Sequence, residues 1–145
     1  RHKKRFLDLL LLADEQESMI DLYLERGEMF ALYDQNILKT ICVVTDEGGK
    51  TIELKNIATD PQYQKQGYGK RLIRFISEHY AGKYDTLLVG TGESPLTIPF
   101  YAQNGFKYSH RIKDFFTDNY DHPIYEDGKQ LVDMVYLRKE LSKSK

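Results

Sequence analysis

The chain has 145 residues, 41% of them hydrophobic and 30% charged, which fits a single domain over residues 1–145 with a real core and leaves no length for a second. With 21 Lys+Arg against 22 Asp+Glu the net charge is −1, so general electrostatic affinity for nucleic acid or an anionic membrane is not expected, and no apolar run is long enough to span a bilayer. One cysteine, Cys42, excludes an internal disulfide and a cysteine-based metal pair and suits a reducing cytoplasm.

The sequence opens on Arg rather than Met, so an N-terminal strand is expected to precede it. The basic cluster Arg1, Lys3, Lys4 and Arg5 reads as a solvated helix start. Phe6 to Leu12 is dense in apolar residues, and Met19, Ile20, Tyr23 and Leu24 recur at helical spacing before Gly27, which predicts two short helices. Met29–Tyr33 and Ile37–Thr45 read as strands around a turn at Asp34–Asn36. The Asp46-Glu47-Gly48-Gly49 cluster then turns the chain onto a third strand, Thr51–Thr59.

Gly69–Ala81 places Leu72, Ile73, Ile76 and Tyr80 on one face and charges elsewhere, with Gly82 as a stop. Asp85–Gly90 predicts a strand, Pro95–Gln103 a helix entered through Ser94, and Phe106–Ile112 and Leu131–Leu137 two more strands. No repeat or linker divides the chain. This order predicts an α/β fold: a mixed, largely antiparallel central sheet flanked by helices on both faces.

The most informative stretch is Asn56 to Leu72. A strand ending at Thr59 leads through Gln64-Lys65-Gln66-Gly67-Tyr68-Gly69 directly into the strongest helix, so a row of backbone N–H groups at a helix N-terminus faces outward. Such a turn suits a phosphate. Two glycines permit close approach, and Lys65, Lys70 and Arg71 add to the helix-end charge. A dinucleotide fingerprint needs Gly or Ala at position 72, where Leu stands, and a Walker loop needs a Gly-Lys-Ser/Thr ending that is absent.

Gln64, Gly67 and Gly69 instead supply the (Gln/Arg)xxGx(Gly/Ala) pattern, and Phe100-Tyr101-Ala102-Gln103-Asn104-Gly105-Phe106 supplies an FYxxxGF segment downstream. On these two motifs the chain resembles the GCN5-related N-acetyltransferases (GNAT) over nearly its whole length. The resemblance implies their acyl-CoA N-acyltransferase fold and transfer of an acetyl group from acetyl-CoA to a primary amine by direct attack in a ternary complex, without a metal. It implies that Gln64, Lys65, Gln66, Gly67, Tyr68, Gly69 and Lys70 hold the coenzyme A pyrophosphate, and that Ile57, Ala58 and Thr59 pair with its pantetheine arm. Where the family often has Asn and Ala before the tyrosine this chain has Ser94 and Thr97, with Ser94 able to cap the helix or bond the pantetheine.

An amine acceptor with a pKa near 10.4 is protonated at pH 7 and must lose a proton before attack. Glu53, four residues before Ile57, matches the family glutamate that serves as base, usually through water; pairing with Lys55 on a half-exposed strand is the competing explanation. The resemblance also implies an oxyanion-binding backbone N–H at Ala58 or its neighbour, and Tyr101 as proton donor to the departing thiolate, with an aromatic packing on the cofactor or core as the competing explanation for Tyr101. Cys42, among Ile41, Val43 and Val44, reads as a buried side chain rather than a nucleophile. His2, His79, His110 and His122 have no metal-ligand spacing.

Residues 114–128 carry Phe116, Tyr120 and Tyr125 among five acidic side chains and no Lys or Arg, and a comparable long insertion marks a group of small bacterial members of the family. These aromatics are candidates for acceptor binding, against packing onto the domain or onto a partner copy, since a free sheet edge would suit a homodimer. Two other functions stay open. One is an acetyl-CoA-binding sensor or interaction domain without chemistry; the other is an S-adenosylmethionine-dependent methyltransferase, built on a glycine turn at Gly90-Thr91-Gly92.

Overall fold

The computed structural model describes residues 6–141, so the basic cluster and His2 lie outside the described residues. Two short helices, α1 (Leu7–Ala13) and α2 (Glu17–Asp21), open the described chain as predicted. Strand β1 (Glu28–Asp34) returns as β2 (Ile37–Gly48) through Gln35 and Asn36, both with positive φ, the mirror-image turn whose twist matches the flanking strands. The next strand, β3 (Thr51–Thr59), follows a turn at Gly49 and Lys50. Asp46 to Gly48, expected in that turn, stay in β2.

Helix α3 (Tyr68–Tyr80) carries the chain across to β4 (Thr86–Gly92), parallel to β3. Then come α4 (Ile98–Gln103), β5 (Lys107–Ile112), α5 (Phe115–Asn119), the two-residue strands β6 (Tyr125–Glu126) and β7 (Lys129–Gln130), and β8 (Met134–Glu140). The main sheet has the order β1-β2-β3-β4-β8-β5, and only the β3–β4 pair is parallel.

Two cores cover the sheet. Leu72, Ile73 and Ile76 of α3 and Tyr101 of α4 pack on one face against Leu54, Val89 and their neighbours. Leu10, Ile20 and Leu24 pack on the other face against Ile41, Val43 and Ala58. The expected arrangement, a largely antiparallel sheet with helices on both faces, is the one observed.

Three expectations are corrected. Strand β4 runs on through Gly90-Thr91-Gly92, pairing Gly90 with Tyr136 and Gly92 with Met134, so no glycine turn exists there to hold S-adenosylmethionine. Close packing explains both glycines: a Cβ would lie 2.9 Å from Met134 Sδ at position 90 and 2.6 Å from Leu131 Cδ1 at position 92. The last strand begins at Met134 rather than Leu131, because Leu131 is drawn into a third small core with Phe116 and Ile124. Ser94 does not cap α4: its Oγ accepts the Leu96 N–H in the turn before the helix.

Cys42 is fully buried and burial pushes its thiol up to about 12, which fits a packing side chain. Among the described residues no helix is long and apolar enough to cross a membrane. Ile73 has no exposed surface in the larger core. Ile73→Ala should therefore lower the unfolding free energy by about 3 kcal/mol, read as a lower urea midpoint with an unchanged slope.

Candidate active site

The geometry of the site begins with one extra residue. Val43 of β2 faces Asn56 and Val44 faces Leu54, so Lys55 is left over on β3 as a β-bulge. A bulge reverses which side chains face which side. Before it, Ile52 and Leu54 enter the α3 core; after it, Ile57 takes that side. Asn56 and Ala58 turn instead toward α1 and α2, where Asn56 Nδ2 donates to Leu10 O at 3.0 Å and to Tyr23 OH at 3.0 Å.

The registered pairing of β3 with β4 ends at Leu54 and Val89, although β3 continues to Thr59 and β4 to Gly92. A cavity of about 280 Å³ lies along the two diverging ends. Its walls include Ile57, Ala58, Thr59, Gln64, Thr97 and Tyr101, bringing together residues from both motifs. The outer half of β3 is fixed to β2 by Thr40, whose Oγ1 donates to Ala58 O at 2.8 Å and accepts from Thr59 Oγ1 at 2.9 Å.

Beyond Gln64, outside the cavity's lining, stands the glycine turn. Gly67 has φ +87° with nothing within 4 Å of a built Cβ, so glycine is required there by conformation. Gly69 is tightly packed, since its Cβ would sit 3.3 Å from the Phe100 ring. The first bond of α3 runs from Arg71 N to Gly67 O, so the amides of Tyr68, Gly69 and Lys70 precede the helical ladder. Gln64 Nε2 donates to Thr59 O at 3.2 Å and Tyr68 OH to Asp34 at 2.9 Å, bracing both flanks. Lys39, which the sequence did not single out, is buried with its Nζ 3.4 Å from the centre of the Tyr63 ring.

The cavity itself is partly acidic and aromatic. Asp14, Glu15, Phe116, Tyr120 and Glu126 line it. Tyr120 OH donates to Asp14 at 2.6 Å and Tyr23 OH at 3.2 Å, and burial raises the Asp14 carboxyl against the opposing pull of those hydroxyls. A second cavity of about 200 Å³ shares Asp14, Lys55, Gly90, Tyr120 and Met134 with the first. Glu53 lines this second cavity, buried, with Lys55 Nζ 3.2 Å from its Oε2 and Tyr136 OH donating to the same oxygen at 3.1 Å. Tyr101 lines the first, where burial and the Glu126 charge raise its phenol, holding the proton on the oxygen.

The candidate residues thus divide. Ile57, Ala58, Thr59, Gln64, Tyr101, Phe116 and Tyr120 come together on one cavity, and Glu53 stands on its neighbour. Lys65, Gln66, Gly67, Tyr68, Gly69, Lys70, Ser94 and Tyr125 line neither; the first six form the turn beyond Gln64, Ser94 is buried in its own turn and Tyr125 is 57% exposed. Asp14, Asn56, Thr97 and Glu126 line the site without having been given a role. Asp14 alone carried no signal; Asn56 and Thr97 stood in or beside the motifs and Glu126 in the acidic segment. Among the described residues no group of three or more His, Cys, Asp or Glu could hold a metal ion.

Residues 25–108 match the family model of the acetyltransferase (GNAT) domain. The chain belongs to the GNAT acetyltransferase family. It is 39% identical over 137 residues to the uncharacterized N-acetyltransferase YvbK of Bacillus subtilis (strain 168), covering 92% of this chain and 88% of that one. A GNAT acetyltransferase of Elizabethkingia anophelis with acetyl-CoA bound superposes with a TM-score of 0.87 at 36% identity, over 93% of this chain and 90% of its own. A Bacillus subtilis acetyltransferase in complex with CoA gives 0.87 at 37% identity, over 95% and 92%. Aminoglycoside 6'-acetyltransferase type Ii, at 17% identity and a TM-score of 0.71 over 99% and 92%, shares the fold.

The acidic segment is clasped at its base by Asp133, which accepts the Asp114 N–H at 2.9 Å and the Arg111 guanidinium at 2.9 Å. These bonds hold the Asp133 carboxyl below its usual range, the backbone N–H contributing most. A depressed carboxyl stabilises the fold above its unfolded pKa of about 3.9 and loses that effect as pH falls through the folded value. Asp133→Asn should therefore lower the thermal midpoint at pH 7, and the two midpoints should converge as the pH falls toward 3.

Proposed function

We propose that the chain transfers an acetyl group from acetyl-CoA to a primary amine by direct attack in a ternary complex. The supporting observation is the cavity along β3 and β4 beyond their pairing, which Gln64 of the first motif and Tyr101 of the second both line together with acidic and aromatic side chains. The amides preceding α3, with Lys65, Lys70 and Arg71 nearby, suit a pyrophosphate. Ile57 to Thr59 offer backbone along β3 beyond its pairing with β4, which suits the amide-bearing pantetheine arm and leaves an N–H near Ala58 for the oxyanion. Relatives with acetyl-CoA or CoA bound support the same reading.

The acceptor amine approaches along the acidic lining, beside Phe116 and Tyr120 of the segment 114–128. Its nitrogen attacks the acetyl carbon, and the departing thiolate takes a proton from Tyr101, whose raised phenol holds that proton at neutral pH. Glu53, engaged by Lys55 and Tyr136, fixes the Lys55 cation on the wall common to the two cavities. The outer edge of β5 suits a homodimer, which sedimentation at micromolar concentration measures.

Thiol release from acetyl-CoA, followed across a panel of polyamines, aminoglycosides, amino acids, peptide N-termini and lysines, tests this reading. Acetyl-CoA binding without transfer to any amine would favour a non-catalytic sensor. Tyr101→Phe should lower kcat on the order of 100-fold while leaving the acetyl-CoA Kd, measured by calorimetry, unchanged.

A further inference from the structure

The carboxylates bordering the two cavities are Asp14, Glu15, Glu53 and Glu126. Three are accounted for. Asp14 receives hydroxyls on both oxygens, from Tyr120 and Tyr23. Glu53 receives Lys55 and Tyr136. The Glu15 side chain is 51% exposed. Glu126 differs from all of these: its Oε1 is buried and receives no hydrogen bond.

An unpaired buried carboxylate oxygen is costly, so it marks a place where a donor from outside the chain belongs. A second orphan stands on the same cavity, the Oδ1 of Asn56, a residue only 3% exposed whose Nδ2 is fully occupied elsewhere. Two buried acceptors without donors, on one cavity, complement a ligand rich in N–H. A primary ammonium has three.

We propose that Glu126, carried to the cavity by the β6–β7 hairpin, binds the acceptor's ammonium and takes the proton that the amine must lose before attack. This rests on the acetyl-transfer reading of the site. One proton passes from R–NH3+ to the Glu126 carboxylate, leaving R–NH2. The nitrogen lone pair then forms the C–N bond to the acetyl carbon, and the C–S bond breaks as Tyr101 protonates the sulfur. The second amine proton returns to the Tyr101 oxygen, and Glu126 releases its proton to solvent. The amide, free thiol and one proton are the products.

Location favours Glu126 over Glu53. Glu126 and Tyr101 line the same cavity, and the Glu126 charge contributes to the raised phenol of Tyr101, so the two proton-handling groups stand close together. The other charged or titratable side chains on that cavity are Asp14, Glu15, Lys55 and Tyr120. Asp14 and Glu15 add negative potential for a cation, and Lys55 is committed to Glu53.

The test uses the primary amine that gives the fastest thiol release in the acceptor panel. Wild-type kcat/KM should rise with pH to a plateau well below the pKa of that amine, because Glu126 accepts the ammonium proton. Glu126→Gln should fall on the order of 100-fold near neutral pH and climb without a plateau until the amine itself ionises, with acetyl-CoA Kd and thermal midpoint unchanged. Wild-type rate and profile in Glu126→Gln would overturn the assignment, as would loss of the plateau in Glu53→Gln while Glu126→Gln keeps it. If Glu126→Gln does not fold, Glu126→Asp decides: a lower kcat/KM with the plateau retained supports the proposal, and wild-type kinetics overturn it. Absence of transfer to any amine by the wild type would overturn the acetyl-transfer reading itself, and this assignment with it.

Discussion

One residue too many in β3 sets the terms for the rest of the molecule. Were Lys55 paired regularly with β2, the alternation of β3 would continue unbroken. Asn56 would then face the apolar α3 core, and Ile57 would face α1 and α2. The bulge instead sends Asn56 to the Leu10 carbonyl and the Tyr23 hydroxyl, seating the helices on that face, and β3 and β4 cease to pair just before it. The separation is stable because the outer half of β3 keeps its bonds to β2, reinforced by the buried Thr40 hydroxyl. A cavity between parallel neighbours is thereby obtained without breaking the sheet.

Charge is sorted between the glycine turn and the cavity. Around the turn the chain places Lys39, Lys65, Lys70 and Arg71, with Lys39 resting on the Tyr63 ring and Arg71 3.9 Å from Asp34. Asp14, Glu15 and Glu126 line the cavity. One region is therefore suited to anions and the other to cations. A near-neutral net charge concealed this, because composition averages over surfaces that geometry keeps apart.

Much of the crossover from β3 through α3 was legible in the sequence for physical reasons. Helix α3 announced itself by Leu72, Ile73, Ile76 and Tyr80 at helical spacing, and the turn before it by glycines at a positive φ and in a tight contact. The rest depended on long-range pairing. The bulge at Lys55 is invisible locally, since it exists only relative to Val43 and Val44 on another strand. Gly90 and Gly92 looked like a turn because glycine usually signals one; here they admit Met134, Tyr136 and Leu131, far along the chain. Asp14 could not be connected with Tyr120 from the sequence, as 106 positions separate them. Glu126 was hidden among acidic neighbours that face solvent.

The third small core has a consequence of its own. Phe116, Ile124 and Leu131 close the segment upon itself, while Asp114 and Phe116 at its entry bond to Asp133 and Val132 at its exit. Such a segment is anchored at one base and latched once more through Tyr120 to Asp14. It behaves as a cassette. Diversifying its inward residues, or grafting its counterpart from a relative between the same two anchors, would recut this wall of the cavity while the glycine turn and the six-stranded sheet stay as they are. Natural divergence and laboratory selection would both reshape the cavity at this loop sooner than in the core.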